Sequence, residues 1–510
     1  MLVAFDKVSI TPDQQTVEKG VAMAGFYRKH KAREVLDPVY ARAVLVVDDY
    51  LDDIQKPLLL ISLDLLKAPL LVFNYIKERI QKEVDIGFGA GQILVACTHT
   101  HHAPDLTGEY YWPGGLFKTI KGILFGANRN DRYIIWIAMQ IAKMVKRMVE
   151  NLQPAKMAWG KLDITDEMTE KDGFRPFVLN RRHPSDREPQ ELGVISFAST
   201  SNDDLIGLIM NYGCHPIAMS FNNEKISADF PGRACMHVEH ETGNKVGVVY
   251  FTGPSGDLNP ITTLEVDDFS ELEGQEATLA NNKEEGESTI YVQYGTEEHA
   301  DMIGAYIGSK ALELARGFSS DHYYTSLEIR SYMKTFPIPV KDEQHEKEIG
   351  IYNRVNWLSN KLVVFIKKWL ILPIAMAAAQ EPNFPGLTIK KVPLSHGEGM
   401  KYNAYTVNHY IDVIARSGGR KARLGIIGVP GELFMDIKHR FLEKSPAGSS
   451  NTFIFQIAND WLGYLFPVKE YVTKAGYEPF ASTTPTAGPY VERKMYRLWK
   501  EIEAGIIPHS

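Results

Sequence analysis

The strongest constraint on the fold comes from a series of short apolar runs that end in polar or glycine-rich residues. The runs are rich in Val, Ile and Phe and lack the polar alternation of a half-exposed strand, which predicts strands buried on both faces. They lie at 41–49, 57–66, 91–102, 205–216, 245–257, 424–432 and 452–460.

Helical patterns separate several of these runs. Residues 68–84 and 131–152 place apolar side chains at i, i+3 and i+4, and residues 232–243 predict a shorter helix closed by Gly243. Alternating strands and helices predict an α/β or mixed α+β fold. The length of 510 residues allows one large α/β domain or about three domains, and we expect buried strands, flanking helices and a ligand site at the strand ends.

Composition limits the class of protein. The 510 residues carry a formal net charge of −7 and are 44% hydrophobic, which is typical of a globular protein. These values exclude a disordered chain and a basic nucleic-acid binder. The three cysteines are too few for a disulfide framework. The N-terminus has no basic region before a long apolar core, so we expect no secretory signal and a cytoplasmic or peripheral membrane location.

Two segments, 263–290 and 340–390, interrupt the pattern, and we expect both to be insertions. The first is acidic, whereas the second contains the most apolar stretch, 355–379. Lysines and a proline break that stretch, which predicts an interfacial helix or pocket lid, or equally a buried core helix, rather than a membrane span. Together with the aromatic segment 110–125 it would form a surface for peripheral membrane contact.

The densest chemical signal is Thr98-His99-Thr100-His101-His102, at the end of an apolar run. In an extended chain, His99 and His101 would point to the same side and His102 elsewhere. Two imidazoles at a strand end can share one metal ion, or one can bind the metal while the other transfers protons.

Two further side chains follow other apolar runs. His215 ends the run at 205–216, and with the paired histidines it supplies the minimum ligand set of a hydrolytic zinc site. Glu432 adds a carboxylate at a third strand end, although a surface charge near a helix start is the ordinary alternative for it.

Six motifs, taken in order, are similar to those of the neutral ceramidase catalytic domain. They are Thr98-His99-Thr100-His101, Asn180-Arg181, His215 with Ser227-Ala228-Asp229, Gly256-Asp257 with Pro260, Pro430-Gly431-Glu432, and Asn459-Asp460 with Gly463-Tyr464. The resemblance runs from Met23 to Glu478 and implies a single catalytic domain over 1–510. We expect the chain to lack the downstream immunoglobulin-like domain that family members often carry. It implies a zinc-dependent amidase that cleaves the N-acyl bond of ceramide to release a sphingoid base and a fatty acid.

The resemblance also implies roles for individual residues. A single Zn²⁺ would be bound by four side chains: His99, His215, Glu432 and Tyr464. His101 would face the substrate as a proton shuttle, with Tyr464 and Tyr477 near the reacting carbonyl. Gly25, Arg181 and Tyr477 would line the substrate pocket, and Asp64 and Asp257 would support the site. Asn259 stands where the family has serine, which favours water over a serine nucleophile.

Two alternatives stay open at this point. The first is a zinc amidase or esterase that acts on another small acyl substrate, and the second is a non-catalytic lipid-binding relative with the same fold. Amidohydrolase barrels also carry an HxH motif, but on their first strand, whereas two predicted strands precede it here. The sequence leaves the acyl-chain preference and the oligomeric state open.

Overall fold

A computed structural model of the chain describes most of the sequence, with several gaps. The described residues are 1–26, 28, 30–48, 57–84, 86–108, 110–111, 131–165, 178–180, 188–221, 223–260, 263–265, 291–293, 295–339, 396–397, 401–467, 469–470 and 487–506. Both predicted insertions lie outside these residues, apart from 263–265. The predicted membrane-contact segments 110–125 and 355–379 also lie outside them, apart from 110–111.

The strands and helices of the described residues follow one another along the chain. The strands are β1 (Leu2–Ser9), β2 (Tyr40–Val47), β3 (Pro57–Leu63), β4 (Ile93–Cys97), β5 (Gln153–Asp163), β6 (Val178–Asn180), β7 (Glu191–Ser199), β8 (Leu205–Tyr212), β9 (Gly247–Thr252), β10 (Leu258–Pro260), β11 (Thr263–Glu265), β12 (Tyr291–Gln293), β13 (Ser326–Pro339), β14 (His396–Gly397), β15 (Lys401–Ser417), β16 (Arg420–Val429), β17 (Glu432–Leu433), β18 (Thr452–Gln456) and β19 (Tyr464–Leu465). The helices are α1 (Gln14–Lys19), α2 (Leu70–Glu83), α3 (Asp131–Glu150), α4 (Asp229–Glu241), α5 (Glu297–Gly317), α6 (Met435–Lys444) and α7 (Ala487–Glu503).

The larger sheet has eight strands in the order β4-β3-β2-β1-β5-β7-β8-β9. Its two halves are joined where Leu2 and Val3 of β1 pair with β5. The two ends of the sheet approach each other, because Ser62 of β3 donates to the carbonyl of Tyr250 at 2.5 Å and Thr252 donates to the carbonyl of Thr98 at 2.6 Å. This curling brings the segments that follow β4 and β8 to the same place.

The smaller sheet has the order β13-β15-β16-β18, with β14 paired to β15. It lies against the larger sheet, and the two share one apolar core that includes Val44 and Leu60 on one side and Val413 and Phe455 on the other. The rings of Phe251 and Phe455 stack across this interface with centroids 4.1 Å apart.

Helices cover the outer faces of both sheets. Helices α2 and α3 pack on β2 and β3, α4 and α5 pack on β7 and β8, and α6 and α7 pack on the smaller sheet. The layers therefore run helix, sheet, sheet, helix, which buries both faces of each central strand. The predicted mixed α/β fold with buried strands and flanking helices is confirmed.

The helices that the structure describes include none long and apolar enough to cross a bilayer.

Helix α2 carries a lysine into the core. Lys77 is 4% exposed, and its Nζ lies 3.8 Å from the Sδ of Met333 on β13. Burial lowers the pKa of Lys77 from 10.5 to about 7, and His409 is a second buried base nearby. Between pH 7 and pH 10.5 the amine of Lys77 is protonated in the unfolded chain but neutral in the folded chain. The cost of burying Lys77 to the stability of the fold is therefore largest below pH 7 and decreases as the pH rises.

We expect Lys77→Met to stabilise the protein. The gain in free energy of unfolding is expected to be on the order of 4 kcal/mol at pH 7 and to fall below about 1 kcal/mol at pH 10, where the unfolded lysine has lost part of its proton. Urea unfolding of both proteins at the two pH values measures this. An equal difference at pH 7 and pH 10 would contradict the buried neutral amine.

Candidate metal centre

Three imidazoles meet where the ends of the larger sheet converge. The ligand atoms of His99, His101 and His215 all lie within 4.8 Å of one another. The ring centroids of His99 and His215 are 4.6 Å apart, and His101 Nε2 is 3.0 Å from His215 Nε2. In the part of the chain that the structure describes, this is the cluster whose donor atoms are close enough to share a metal ion.

The local chain path differs from the extended path expected for this motif. Strand β4 ends at Cys97, and His99 has a left-handed backbone with φ of 71°. The backbone N–H of Thr98 and that of His99 donate to the carbonyls of Leu63 and Leu65. The prediction that this motif is extended is therefore wrong. A turn of the backbone, held by these long-range hydrogen bonds, still brings His99 and His101 together. His102 points elsewhere, as predicted.

A carboxylate completes the cluster. Glu432 begins the short strand β17 and is 2% exposed. Its Oε2 lies 3.2 Å from His99 Nε2 and 3.9 Å from His215 Nε2. Burial alone would raise the pKa of Glu432, but His99 and then His215 and Trp461 lower it to about 2. The carboxylate is therefore ionised, and the surface alternative for Glu432 is wrong.

Backbone carbonyls fix the two histidines from behind. His99 Nδ1 donates to the carbonyl of Leu66 at 2.7 Å, and His215 Nδ1 donates to the carbonyl of Ser255 at 3.2 Å. These bonds require a proton on each Nδ1 and turn Nε2 toward the cluster, which is the usual support of a metal-binding histidine.

The donor set fits a divalent cation. His99 Nε2 and Glu432 Oε2 are both buried without a hydrogen-bond partner, which is costly unless another group satisfies them. Two imidazole nitrogens and a carboxylate are ligands that Zn²⁺ accepts at hydrolytic sites. The His99, His215 and Glu432 side chains could therefore hold a metal ion, and His101 is close enough to be either a fourth donor or a proton carrier.

A family comparison identifies the protein at this level. The model of the neutral/alkaline non-lysosomal ceramidase N-terminal region matches residues 14–328, more than half of the chain. The protein belongs to this ceramidase family. Family membership supports ceramide hydrolysis in general, and thus a hydrolase that acts on amides.

Solved ceramidases share the fold of this family member. The crystal structure of neutral ceramidase from Pseudomonas aeruginosa is 16% identical, with a TM-score of 0.65, and the match covers 100% of this chain and 75% of that one. A ceramidase complexed with C2 is 15% identical, with a TM-score of 0.65 and coverage of 100% and 76%.

The structure describes three of the other residues to which the ceramidase resemblance assigned a role at the metal or in its support, Tyr464, Asp64 and Asp257. Tyr464 starts β19 and pairs directly with Glu432 of β17, and it is 5% exposed. Asp64 and Asp257 are buried and accept hydrogen bonds from the backbone N–H of Tyr40 and from the side chain of Asn180. Arg181 and Tyr477 lie outside the described residues, so their predicted roles stay predictions.

A second polar layer surrounds His102 and was not foreseen from the sequence. His102 Nε2 lies 3.4 Å from Asp229, while its Nδ1 faces Arg28 and Asn223 at 3.1 Å each. Arg28 also donates to the carbonyl of His101 at 2.9 Å. These contacts hold the backbone of the histidine motif in place. The Ser227-Ala228-Asp229 motif is the feature of the sequence that could have indicated this polar layer.

Gly25 lies against the ring of His101. Its φ is 98°, and a Cβ built there would be 2.4 Å from His101 Cγ and Nδ1. The position therefore requires glycine both for its backbone conformation and for the space that the imidazole occupies.

We expect Gly25→Ala to displace His101 and lower kcat by about 100-fold while the content of bound metal is retained. Gly20→Ala is the matched control, because Gly20 has a φ of 97° and its added Cβ would meet the side chain of Lys31 away from the metal centre. Steady-state kinetics and metal analysis of both variants test this. A similar fall in kcat for both would assign the effect to backbone strain alone.

Proposed function

We propose that this ceramidase-family protein is a zinc-dependent amidohydrolase that cleaves the N-acyl bond of ceramide or a related N-acyl lipid. Water is the nucleophile, and the products are a sphingoid base and a fatty acid. The proposal rests on two potential metal-ligand atoms, His99 Nε2 and Glu432 Oε2. Both are buried beside His215 without a hydrogen-bond partner.

Four side chains would hold the ion: His99, His215, Glu432 and Tyr464. Tyr464 is included because the ceramidase resemblance implies it, and its backbone pairs with that of Glu432 in the β17–β19 ladder. A zinc ion bound there supplies positive charge that lowers the pKa of water toward about 7 and polarises the scissile carbonyl.

His101 is the proposed proton carrier. Burial, and then the neighbouring His215 and His99, holds the pKa of His101 well below its usual 6.5, so the imidazole is neutral before the reaction. It takes one proton from the attacking water and returns it to the leaving amine nitrogen. The amide and one water thereby become a carboxylic acid and an amine.

The test is fatty-acid release from a matched set of substrates. Chelator-treated protein is divided into samples with and without added Zn²⁺ and incubated with ceramide, an ester analogue of the same acyl chain, and a soluble N-acyl amine. We expect release from ceramide only with zinc, at about one bound zinc per chain. Release from the soluble amide but not ceramide would favour another acyl substrate. Ceramide binding with neither zinc nor release would favour a lipid-binding protein.

Peripheral membrane contact is a separate part of the proposal. It concerns segments 110–125 and 355–379, which lie almost entirely outside the described residues. Co-sedimentation with liposomes of neutral and anionic composition tests it, and failure to co-sediment with any of them would remove it.

A further inference from the structure

The carboxylate of Glu432 is held by an indole on the side away from the histidines. Trp461 Nε1 donates to Glu432 Oε1 at 2.9 Å, while the other oxygen, Oε2, faces His99. The two oxygens therefore have different partners. We infer that Trp461 is a positioning residue that fixes the rotation of the Glu432 carboxylate and so presents Oε2 to the metal, an inference that rests on the proposed zinc site.

The loop that carries Trp461 is tied at several points. The carboxylate of Asp460 accepts from the backbone N–H of Trp461 at 2.8 Å and from that of Leu70, at the start of α2, at 3.0 Å. The backbone N–H of Leu462 donates to the carbonyl of Pro430 at 2.9 Å, just before β17. The indole therefore comes from a backbone whose position relative to Glu432 is fixed, as a positioning group requires.

A cation lies on the face of the same indole. Lys67 Nζ is 3.6 Å from the centroid of the Trp461 ring, and Lys67 is 5% exposed. A buried ammonium attracts the π electrons of the ring and makes its N–H a stronger donor. The carbonyl of the preceding residue, Leu66, accepts the Nδ1 proton of His99. The Leu66–Lys67 segment thus supports one proposed ligand directly and the other through Trp461.

The experiment compares two tryptophan-to-phenylalanine variants. Trp461→Phe keeps an aromatic ring and removes the N–H that Glu432 accepts. Trp159→Phe is the matched control, because Trp159 Nε1 also donates at 2.9 Å to a side-chain oxygen, that of Asn451, and its ring stacks on Tyr324. Zinc affinity of the apoprotein is measured by competition with a chromophoric chelator, and the ligand field is measured from the visible spectrum of the Co²⁺-loaded protein.

We expect Trp461→Phe to weaken zinc binding by about 10- to 100-fold and to shift the Co²⁺ spectrum. Trp159→Phe is expected to leave both unchanged. Wild-type affinity and spectrum in Trp461→Phe would overturn the positioning role while the proposed function stands. An absence of zinc binding in the wild-type protein would instead overturn the proposed function, and the positioning role with it.

A second variant removes the cation without touching the indole. Lys67→Met keeps an unbranched side chain that is one atom shorter, and we expect it to weaken zinc binding by about threefold. In the Trp461→Phe background the same change should have a smaller effect, because the N–H that the cation strengthens is absent. Should Trp461→Phe fail to fold, unchanged zinc affinity in Lys67→Met would overturn the inference.

Discussion

Replacing His99 with alanine is expected to abolish metal binding and hydrolysis together. His99 Nε2 lies 3.2 Å from Glu432 Oε2, so its loss leaves the buried carboxylate without the imidazole that it faces. In the proposed site the remaining donors would hold zinc weakly, and the loss of its charge would remove several kcal/mol of transition-state stabilisation. A fall in kcat of at least about 10³-fold follows.

Zinc content of the purified variant and fatty-acid release from ceramide measure the two effects. His240→Ala is the control, because its side chain is 88% exposed on α4 and takes no part in the cluster. A His99→Ala protein that keeps a full complement of zinc would contradict the proposed ligand set.

His101→Ala is expected to differ from His99→Ala in one respect: turnover is lost, but zinc is kept. The neutral imidazole of His101 is the proposed proton carrier, and removal of such a group typically costs about 10²- to 10⁴-fold in rate. The buried His99, His215 and Glu432 donors are unchanged in this variant.

Metal analysis of His101→Ala decides whether His101 is a proton carrier or a metal ligand, since the geometry allows both roles. His101 belongs to the same cluster as His99 and His215, and three imidazoles could bind the ion on their own. Loss of zinc from His101→Ala would make His101 a ligand and reverse the roles assigned to the two histidines of the motif.

Local patterns in the sequence predicted the secondary structure well. The apolar runs at 57–66 and 205–216 became β3 and β8, and the amphipathic pattern at 131–152 became α3 at Asp131–Glu150. Such signals are readable because a strand covered on both faces must be apolar throughout, and a helix covered on one face must be apolar at its own period.

The strand ends were less well predicted. The runs that contain His99 and His215 continue past the last paired residues, Cys97 and Tyr212, because these polar residues are buried in the site instead of in a sheet. The backbone before and at His99, which is left-handed at His99, donates to the carbonyls of Leu63, at the end of β3, and of Leu65 just after it, and no local pattern indicates these contacts.

The sequence by itself determined the mixed α/β class, the family resemblance and the chemical character of the residues at the strand ends. Only the tertiary structure decided that β4 and β9, at opposite ends of an eight-stranded order, meet through Thr252 and Thr98, and that Glu432 faces His99 with Trp461 behind it. Periodicity reports how each segment is buried. The choice of which distant segments meet depends instead on the curl of the sheet and on individual hydrogen bonds between residues far apart in the chain.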